Sequence, residues 1–128
     1  MSETVTALMV KPGQHPVITQ LCDDSNYLDL AISIDDDFMM RSASVLALKK
    51  NIIVIHAYQG NSLDLGCNRR VGKRILCGTF YIVGLKDGQL RSLTKDEITK
   101  YTSKFWEPEL FTDDEVINSW FDGPFLAF

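Results

Sequence analysis

One short segment of the chain combines the residue types and the spacing that suit phosphate binding. Four basic residues follow Asn68 within a few positions, with Gly72 among them. Guanidinium groups bind phosphate oxygens through paired hydrogen bonds, and a glycine lets the backbone approach a ligand closely. The segment therefore predicts a basic loop that contacts nucleic acid or a nucleotide, and its candidate contacts are Asn68, Arg69, Arg70, Lys73 and Arg74.

Two other features weigh against nucleic acid as the main partner. No aromatic residue interrupts the basic segment, although bases commonly stack on aromatic rings in proteins that bind single strands. The chain carries a net charge of −4, whereas nucleic-acid-binding domains are usually basic. The alternative interpretation is that these basic residues pair internally with acidic segments of the same chain.

A second group of residues is acidic and aromatic, and it predicts a protein-binding surface. Carboxylates attract a basic partner, and buried aromatic side chains often supply most of the binding energy of an interface. The predicted members are Asp35, Asp36, Asp37, Trp106, Glu107, Glu109, Asp113, Asp114, Trp120, Phe125 and Phe128. The three consecutive aspartates lack the further ligands and the glycine of a calcium loop, so we predict no metal site there.

Catalytic chemistry has little support in the sequence. Cys22, Cys67 and Cys77 are an odd number without Cys-x-x-Cys spacing, so they predict neither a disulfide framework nor a zinc site. A nucleophilic cysteine needs a basic partner, and the histidines are His15, in a turn, and His56, after an apolar run. We predict no catalytic residue and no cofactor. A hydrolase that uses His56 with an aspartate is the least supported alternative.

The charged residues are sorted along the chain into three blocks. Residues 1–48 carry a net charge of −5, residues 49–104 carry +7, and residues 105–128 carry −6. Such sorting is typical of a surface that meets a charged partner. Solvated faces that neutralise one another after folding are the alternative, because exposed charges couple weakly.

Length and composition predict one globular domain. The chain has 128 residues, of which 45% are hydrophobic and 23% are charged, and these values suit a domain that buries its own core. No apolar run is long enough to span a bilayer, and the first residues lack the features of a signal peptide. We therefore expect a cytoplasmic protein that makes no membrane contact.

The N-terminal half predicts strands with one short helix. β-favouring residues at 5–10 and 17–21 flank a Pro-Gly turn, which predicts an antiparallel hairpin. A cluster of capping residue types at 23–26 predicts a helix over the following residues. Two apolar runs, 38–48 and 51–57, predict a second hairpin, and Ile52–Ile55 has the apolar character of a strand buried on both faces.

The C-terminal half predicts a third hairpin and two capped helices. Asp87-Gly88 separates two strand-like runs, and this dipeptide favours a tight hairpin turn. Thr94 with Glu97, and Thr112 with Glu115, match the capping box that begins a helix. The expected fold is α+β, a single domain with a mostly antiparallel sheet of about five to six strands and two to three short helices. Residues 1–105 would form the main domain and 106–128 an acidic, aromatic helical extension.

Ordered landmarks along the chain resemble those of a known family. They are Ala7–Gly13, Cys67–Arg70, Cys77–Gly84 and Ser92–Tyr101. In their order and spacing they are similar to a small bacterial domain-of-unknown-function family, encoded largely by phages, plasmids and conjugative elements of gut Firmicutes. The resemblance spans about residues 5–105, and it implies no established activity and no catalytic residues.

The resemblance suggests a direction for the function. Small acidic proteins of mobile elements often inhibit host defence, by binding a nuclease or by presenting carboxylates where phosphates would lie. The leading hypothesis is a non-catalytic accessory protein that binds a host protein, such as a defence nuclease of the CRISPR or restriction type. The alternative is an accessory protein that binds nucleic acid or a nucleotide through residues 69–74. An exposed edge strand can pair with a second copy of the chain, so a homodimer is a further alternative.

Overall fold

A computed structural model describes residues 4–22, 43–57 and 66–121 of the chain. Within these ranges the strands are β1 Thr4–Val10, β2 Val17–Cys22, β3 Ala43–Lys49, β4 Ile52–Ala57, β5 Cys67–Val71, β6 Arg74–Cys77, β7 Phe80–Lys86 and β8 Gln89–Arg91. The helices are α1 Lys95–Lys104 and α2 Asp113–Phe121. The helix predicted after residues 23–26 and the run 38–42 lie outside the described residues.

Six of these strands form one antiparallel sheet in the order β2-β1-β7-β4-β3, with β8 also paired to β7. Strands β5 and β6 form a separate two-stranded hairpin. With two short helices, this arrangement confirms the predicted α+β domain. Among the described strands, β2 and β3 stand at the two ends of this order.

The three predicted hairpins are all present in the sheet. β1 pairs with β2, and β3 pairs with β4. Ile52–Ile55 is buried, as predicted for a strand covered on both faces. β7 pairs with β8 through Asp87 and Gly88, which have φ angles of 52° and 79°. Positive φ at both central residues gives the turn whose twist matches that of the flanking strands.

Each face of the sheet contributes to a core. Val5, Ala7, Ile53, Ile55, Tyr81, Val83, Leu21 and Leu90 pack together on one face. On the other face Leu8, Val54 and Ile82 pack against Tyr101 and Phe105 of the α1 region. The rings of Phe80 and Phe105 meet edge to face at 5.7 Å. The second face is therefore the one that α1 covers.

The start of α1 is held by the predicted capping box and by an ion pair. Thr94 Oγ1 accepts from the Glu97 backbone at 3.2 Å, and Glu97 Oε1 accepts from the Thr94 backbone at 2.8 Å. The guanidinium of Arg91 also donates to both carboxylate oxygens of Glu97, at 2.9 and 3.1 Å. Tyr101 is buried, with Ile98 partly buried beside it.

Helix α2 packs on the β5–β6 hairpin. Val116 is buried against Ile75 and Cys77 of β6. Ser119 Oγ accepts from the Ile75 backbone at 3.0 Å and donates to the Val116 carbonyl at 2.7 Å. The helical extension predicted from the sequence is therefore docked on β6 over the described part of α2. Neither helix within the described ranges has the length and apolar character needed to cross a bilayer.

Candidate protein-binding surface

The segment between α1 and α2 exposes apolar and acidic side chains next to one another. Leu110 is 94% exposed, and Trp106 is 44% exposed. Ile117, one helical turn after Asp113 on α2, is 39% exposed. We call residues 105–112 the connector. We define the connector surface as the exposed side chains of Trp106, Glu107, Leu110, Asp113, Asp114 and Ile117.

The first part of the connector is fixed by a histidine from the β1–β2 loop. The rings of His15 and Trp106 stack at a centroid distance of 3.8 Å with an interplanar angle of 9°. Nδ1 of His15 also donates to the Trp106 carbonyl at 2.6 Å. Because one side chain binds both the ring and the backbone, Trp106 is oriented before any partner arrives.

The second part of the connector is fixed by the β5–β6 hairpin. A carboxylate oxygen of Glu109 accepts from the Arg70 backbone at 3.2 Å. The Arg70 guanidinium lies 5.6 Å from the centre of the Phe111 ring, within the range of a cation–π contact. The Phe111 backbone donates to Cys67 Sγ at 3.4 Å. Leu110 therefore projects from a backbone that is held on both sides of it.

The end of the connector is fixed by the second predicted capping box. Thr112 Oγ1 accepts from the Glu115 backbone at 3.2 Å, and Glu115 Oε1 accepts from the Thr112 backbone at 2.9 Å. Asp113, Asp114 and Glu115 occupy the first turn of α2, where carboxylates interact favourably with the helix dipole. The same three carboxylates are exposed, so they keep their negative charge toward solvent.

The basic segment forms a hairpin instead of the loop that the sequence predicts. β5 and β6 pair antiparallel, with Val71 opposite Arg74. Gly72 lies in the turn at a φ of 63°, a left-handed conformation that glycine adopts readily. The apolar run Ile75-Leu76-Cys77 is short and does not alternate with polar residues, so the sequence pattern does not predict two strands here.

The hairpin turns two of the predicted phosphate contacts into the interior. Asn68 and Arg69 are fully buried, whereas Arg70 and Lys73 are exposed and Arg74 is half-buried. Asn68 Nδ2 donates to the carbonyls of Val10 and Gly78 at 2.9 and 2.8 Å. The Asn68 side chain therefore joins β1 to Gly78, which directly follows β6.

Arg69 joins three parts of the fold. Its guanidinium donates to the Phe105 carbonyl at 2.9 Å, to Asn68 Oδ1 at 2.8 Å and to the Gln14 carbonyl. Burial lowers the pKa of Arg69, while the carboxylates of Glu109 and Glu107 act in the opposite direction. The guanidinium thus ties the end of α1 to the β1–β2 loop, and the acidic connector lies close enough to act on its charge.

The predicted protein-binding residues divide into two groups. Trp106, Glu107 and Glu109 lie on the connector, and Asp113 and Asp114 follow it in the first turn of α2. Asp35, Asp36, Asp37, Phe125, Phe128 and the side chain of Trp120 lie outside the described residues. Leu110, Ile117 and the supporting His15 were not predicted as members of this surface. Leu110 follows Glu107-Pro108-Glu109 in a segment without regular structure, so it gives no periodic signal, and His15 is distant from Trp106 in sequence.

The described residues offer no cluster that suits catalysis by a metal. In the ranges 4–22, 43–57 and 66–121, no group of three or more His, Cys, Asp or Glu side chains could hold a metal ion. His56 is buried on the face of the sheet that α1 covers, opposite Phe80. Cys77 is buried, and Cys67 is partly buried against the connector.

Comparison with known proteins places the chain in a family. The family model described as "Domain of unknown function (DUF3846)" matches residues 5–106. The chain belongs to this family. No curated protein and no solved structure is significantly similar to it. The match ends at Trp106, so the family region contains the sheet and α1, and the rest of the connector surface lies beyond it.

Proposed function

We propose that this DUF3846 protein is a non-catalytic accessory protein of a phage or another mobile element. It acts by binding a host protein through the connector surface, and the partner is a nuclease of a host defence system. The observation that carries this proposal is the exposure of Leu110, 94% of whose surface is open to solvent, on a backbone fixed at both ends. Exposed apolar groups rimmed by polar ones are typical of protein–protein interfaces.

Preorganisation supports the connector surface as a binding site. Trp106 is oriented by His15, and Leu110 follows Glu109, which is bonded to the Arg70 backbone. A surface that is already ordered loses less conformational entropy on binding than a mobile one. Aromatic anchors next to a rim of charged residues are also the arrangement that concentrates binding energy in an interface.

The charge of the surface supports a basic partner. Glu107, Asp113, Asp114 and Glu115 are exposed along this segment. The channels in which nucleases hold nucleic acid are lined with cations, because they neutralise phosphates. Carboxylates presented to such a channel would attract the protein by the same electrostatics and would block access of the substrate.

The experiment compares two matched surface variants in capture from a lysate of the host cell. Leu110→Ser removes the apolar group from the connector surface. Ile18→Ser removes a comparable group from β2, where Ile18 is 55% exposed. The proposal expects the wild type and Ile18→Ser to retain one partner that cleaves nucleic acid, and Leu110→Ser to lose it. Failure of all three proteins to retain such a partner, in low and in high salt, would count against the proposal.

Nucleic-acid binding through the β5–β6 hairpin is the second candidate. Arg70 and Lys73 are exposed next to the glycine turn, so two of the five predicted contacts face solvent. Salt-sensitive retention of an oligonucleotide, lost in an Arg70→Gln/Lys73→Gln variant, would select this function over protein binding. Retention that is unchanged in the variant would reject the hairpin as the binding site.

A further inference from the structure

The two flanks of α1 have different chemistry. Ile98 and Thr102 line an open groove of about 580 Å³, together with Ile18 of β2. Lys100 and Lys104 lie on the other flank, since a step of two residues turns a helix by roughly 200°. Lys49, at the end of β3, is near enough to Lys100 to lower the pKa of that ammonium group.

A bulge in β3 is responsible for the position of Lys49. Ala47 pairs with Ile53, but the next pair is Lys49 with Ile52, so one extra residue lies between them. Ile52 belongs to the core face that α1 covers. In a regular strand, successive side chains point to opposite faces of the sheet. Residue 48 would then face α1, and Lys49 would point to the opposite face. Bulges commonly redirect a side chain in this way, and here the redirected side chain is a lysine.

Aromatic rings help to orient the two helix lysines. Lys100 Nζ lies 5.4 Å from the centre of the Tyr101 ring, and Lys104 Nζ lies 5.9 Å from the centre of the Phe105 ring. Both distances are within the range of cation–π contacts. Since Tyr101 and Phe105 are buried in the core, the rings are fixed supports for two flexible side chains.

Within the described part of the chain, none of these three ammonium groups forms an ion pair with a carboxylate. Arg91, by contrast, is paired there with Glu97. Contact with Lys49 is the main cause that lowers the pKa of Lys100, and the charge of Lys104 adds to it. Three like charges from two elements are therefore held together although they repel one another.

We propose that Lys49, Lys100 and Lys104 form a binding site for the phosphate groups of an anionic ligand. Ammonium groups are compact charges with several donors each, and they suit phosphate oxygens in varied geometries. A bound phosphate would replace the repulsion among the lysines with attraction. This site is separate from the connector surface, so its test does not depend on the proposed protein partner.

The test uses two triple variants with the same change in charge. Lys49→Gln/Lys100→Gln/Lys104→Gln removes the proposed site. Lys11→Gln/Lys86→Gln/Lys95→Gln removes three exposed lysines that belong neither to this site nor to the β5–β6 hairpin. Binding of pyrophosphate, and of a single-stranded oligonucleotide in a second arm, is measured by calorimetry for the wild type and both variants.

The proposal expects the wild type and the control variant to bind at least one of the two probes, and the site variant to lose at least tenfold in affinity. Binding of pyrophosphate alone assigns the site to small phosphate compounds. If the oligonucleotide binds, the slope of log K against log salt should be about −2 for three phosphates on a single strand, and it should approach zero in the site variant.

A stability measurement separates the proposed site from a merely structural role. Without phosphate and at low salt, Lys100→Gln should melt at a higher temperature than the wild type, because it relieves the repulsion. Pyrophosphate should then raise the melting temperature of the wild type but not that of Lys100→Gln. Equal affinities in both triple variants, or no binding of either probe by any protein, would overturn the proposal. The bulge and Lys49 would then serve only to keep the end of β3 from pairing with another chain.

Discussion

Arg69 shows how the role of a single residue depends on its surroundings. The sequence places it in a basic cluster that suits phosphate, whereas the structure buries it among the carbonyls of Phe105, Gln14 and the side chain of Asn68. A buried arginine that is fully hydrogen-bonded costs a large amount of free energy to remove, because its partners are left unsatisfied. The residue-scale predictions follow from this principle.

Replacement of Arg69 by Met should lower the free energy of unfolding by about 3 kcal/mol, since three acceptors, two of them buried, would lose their donor. Arg70→Met removes the same charge from an exposed position and should cost less than about 1 kcal/mol. Urea unfolding of both variants measures the difference. Similar small losses in the two variants would show that Arg69 does not hold α1 and the β1–β2 loop together.

Removal of the polar group of Tyr101 should have the opposite effect on stability. Its hydroxyl is buried and has no hydrogen-bond partner among the residues that the structure describes. Tyr101→Phe keeps the ring that packs in the core and removes the unsatisfied group, so the free energy of unfolding should rise by about 1 kcal/mol. Thermal and urea unfolding check the sign. A clear loss of stability would mean that the hydroxyl is bonded after all.

At the scale of elements, the start of α1 depends on a contact between the helix and β8. Arg91 and Glu97 form two hydrogen bonds across this junction, and Glu97 also completes the capping box. The Arg91 hydrogen bond is the main cause that lowers the pKa of Glu97 from 4.5 to about 2. Because of this contact, the free energy of unfolding of the protein should fall as the pH is lowered into the acid range.

Above about pH 4.5 Glu97 is ionised in both the folded and the unfolded chain, and its full contribution to stability is present. As the pH falls from 4.5 toward 2, the unfolded chain takes up the proton first, so this contribution is lost. Glu97→Gln should be less stable than the wild type at pH 7, and the difference should shrink across this window. Urea unfolding at pH 7, 4 and 3 tests it, with Asp96→Asn as the control. A constant difference at every pH would contradict the assignment.

Gly84 of β7 makes room for this contact. A Cβ atom at Gly84 would lie 2.6 Å from Cγ and Nη1 of Arg91, so an alanine must displace the arginine side chain. Gly84→Ala should lower the free energy of unfolding, and much of that loss should disappear when Glu97 is already Gln. A double-mutant cycle in urea should give a coupling of about 1 kcal/mol. Additive effects of the two substitutions would exclude a shared contact.

The elements were predictable where local chemistry decides them. Capping boxes, the Asp-Gly turn and the alternating apolar runs specify their structures over a few residues, and these predictions are confirmed. The β5–β6 hairpin was not predictable, because its pairing depends on the packing of α2 and on the burial of Asn68 and Arg69. The bulge that turns Lys49 toward α1 also has no local signal, since register is fixed by pairing with a distant strand.

At the scale of the whole molecule, the fold brings part of one charge block of the sequence next to part of another. Part of the acidic C-terminal block lies against the basic hairpin, where Glu109 binds the Arg70 backbone and acts on Arg69. Glu107, Asp113, Asp114 and Glu115 stay exposed in the connector and in the first turn of α2. The sequence predicted the acidic and aromatic character of this surface, but the supporting contact with His15 joins residues that are far apart in the chain.

Inhibition of a host nuclease by the connector surface is the measurement that tests the central claim most directly. Cleavage of a labelled DNA by the captured host nuclease is followed while the wild type, Leu110→Ser or Ile18→Ser is added. We predict that the wild type and Ile18→Ser inhibit cleavage at equal concentrations and that Leu110→Ser inhibits at least tenfold more weakly. Equal inhibition by all three proteins, or none by any of them, would contradict the account.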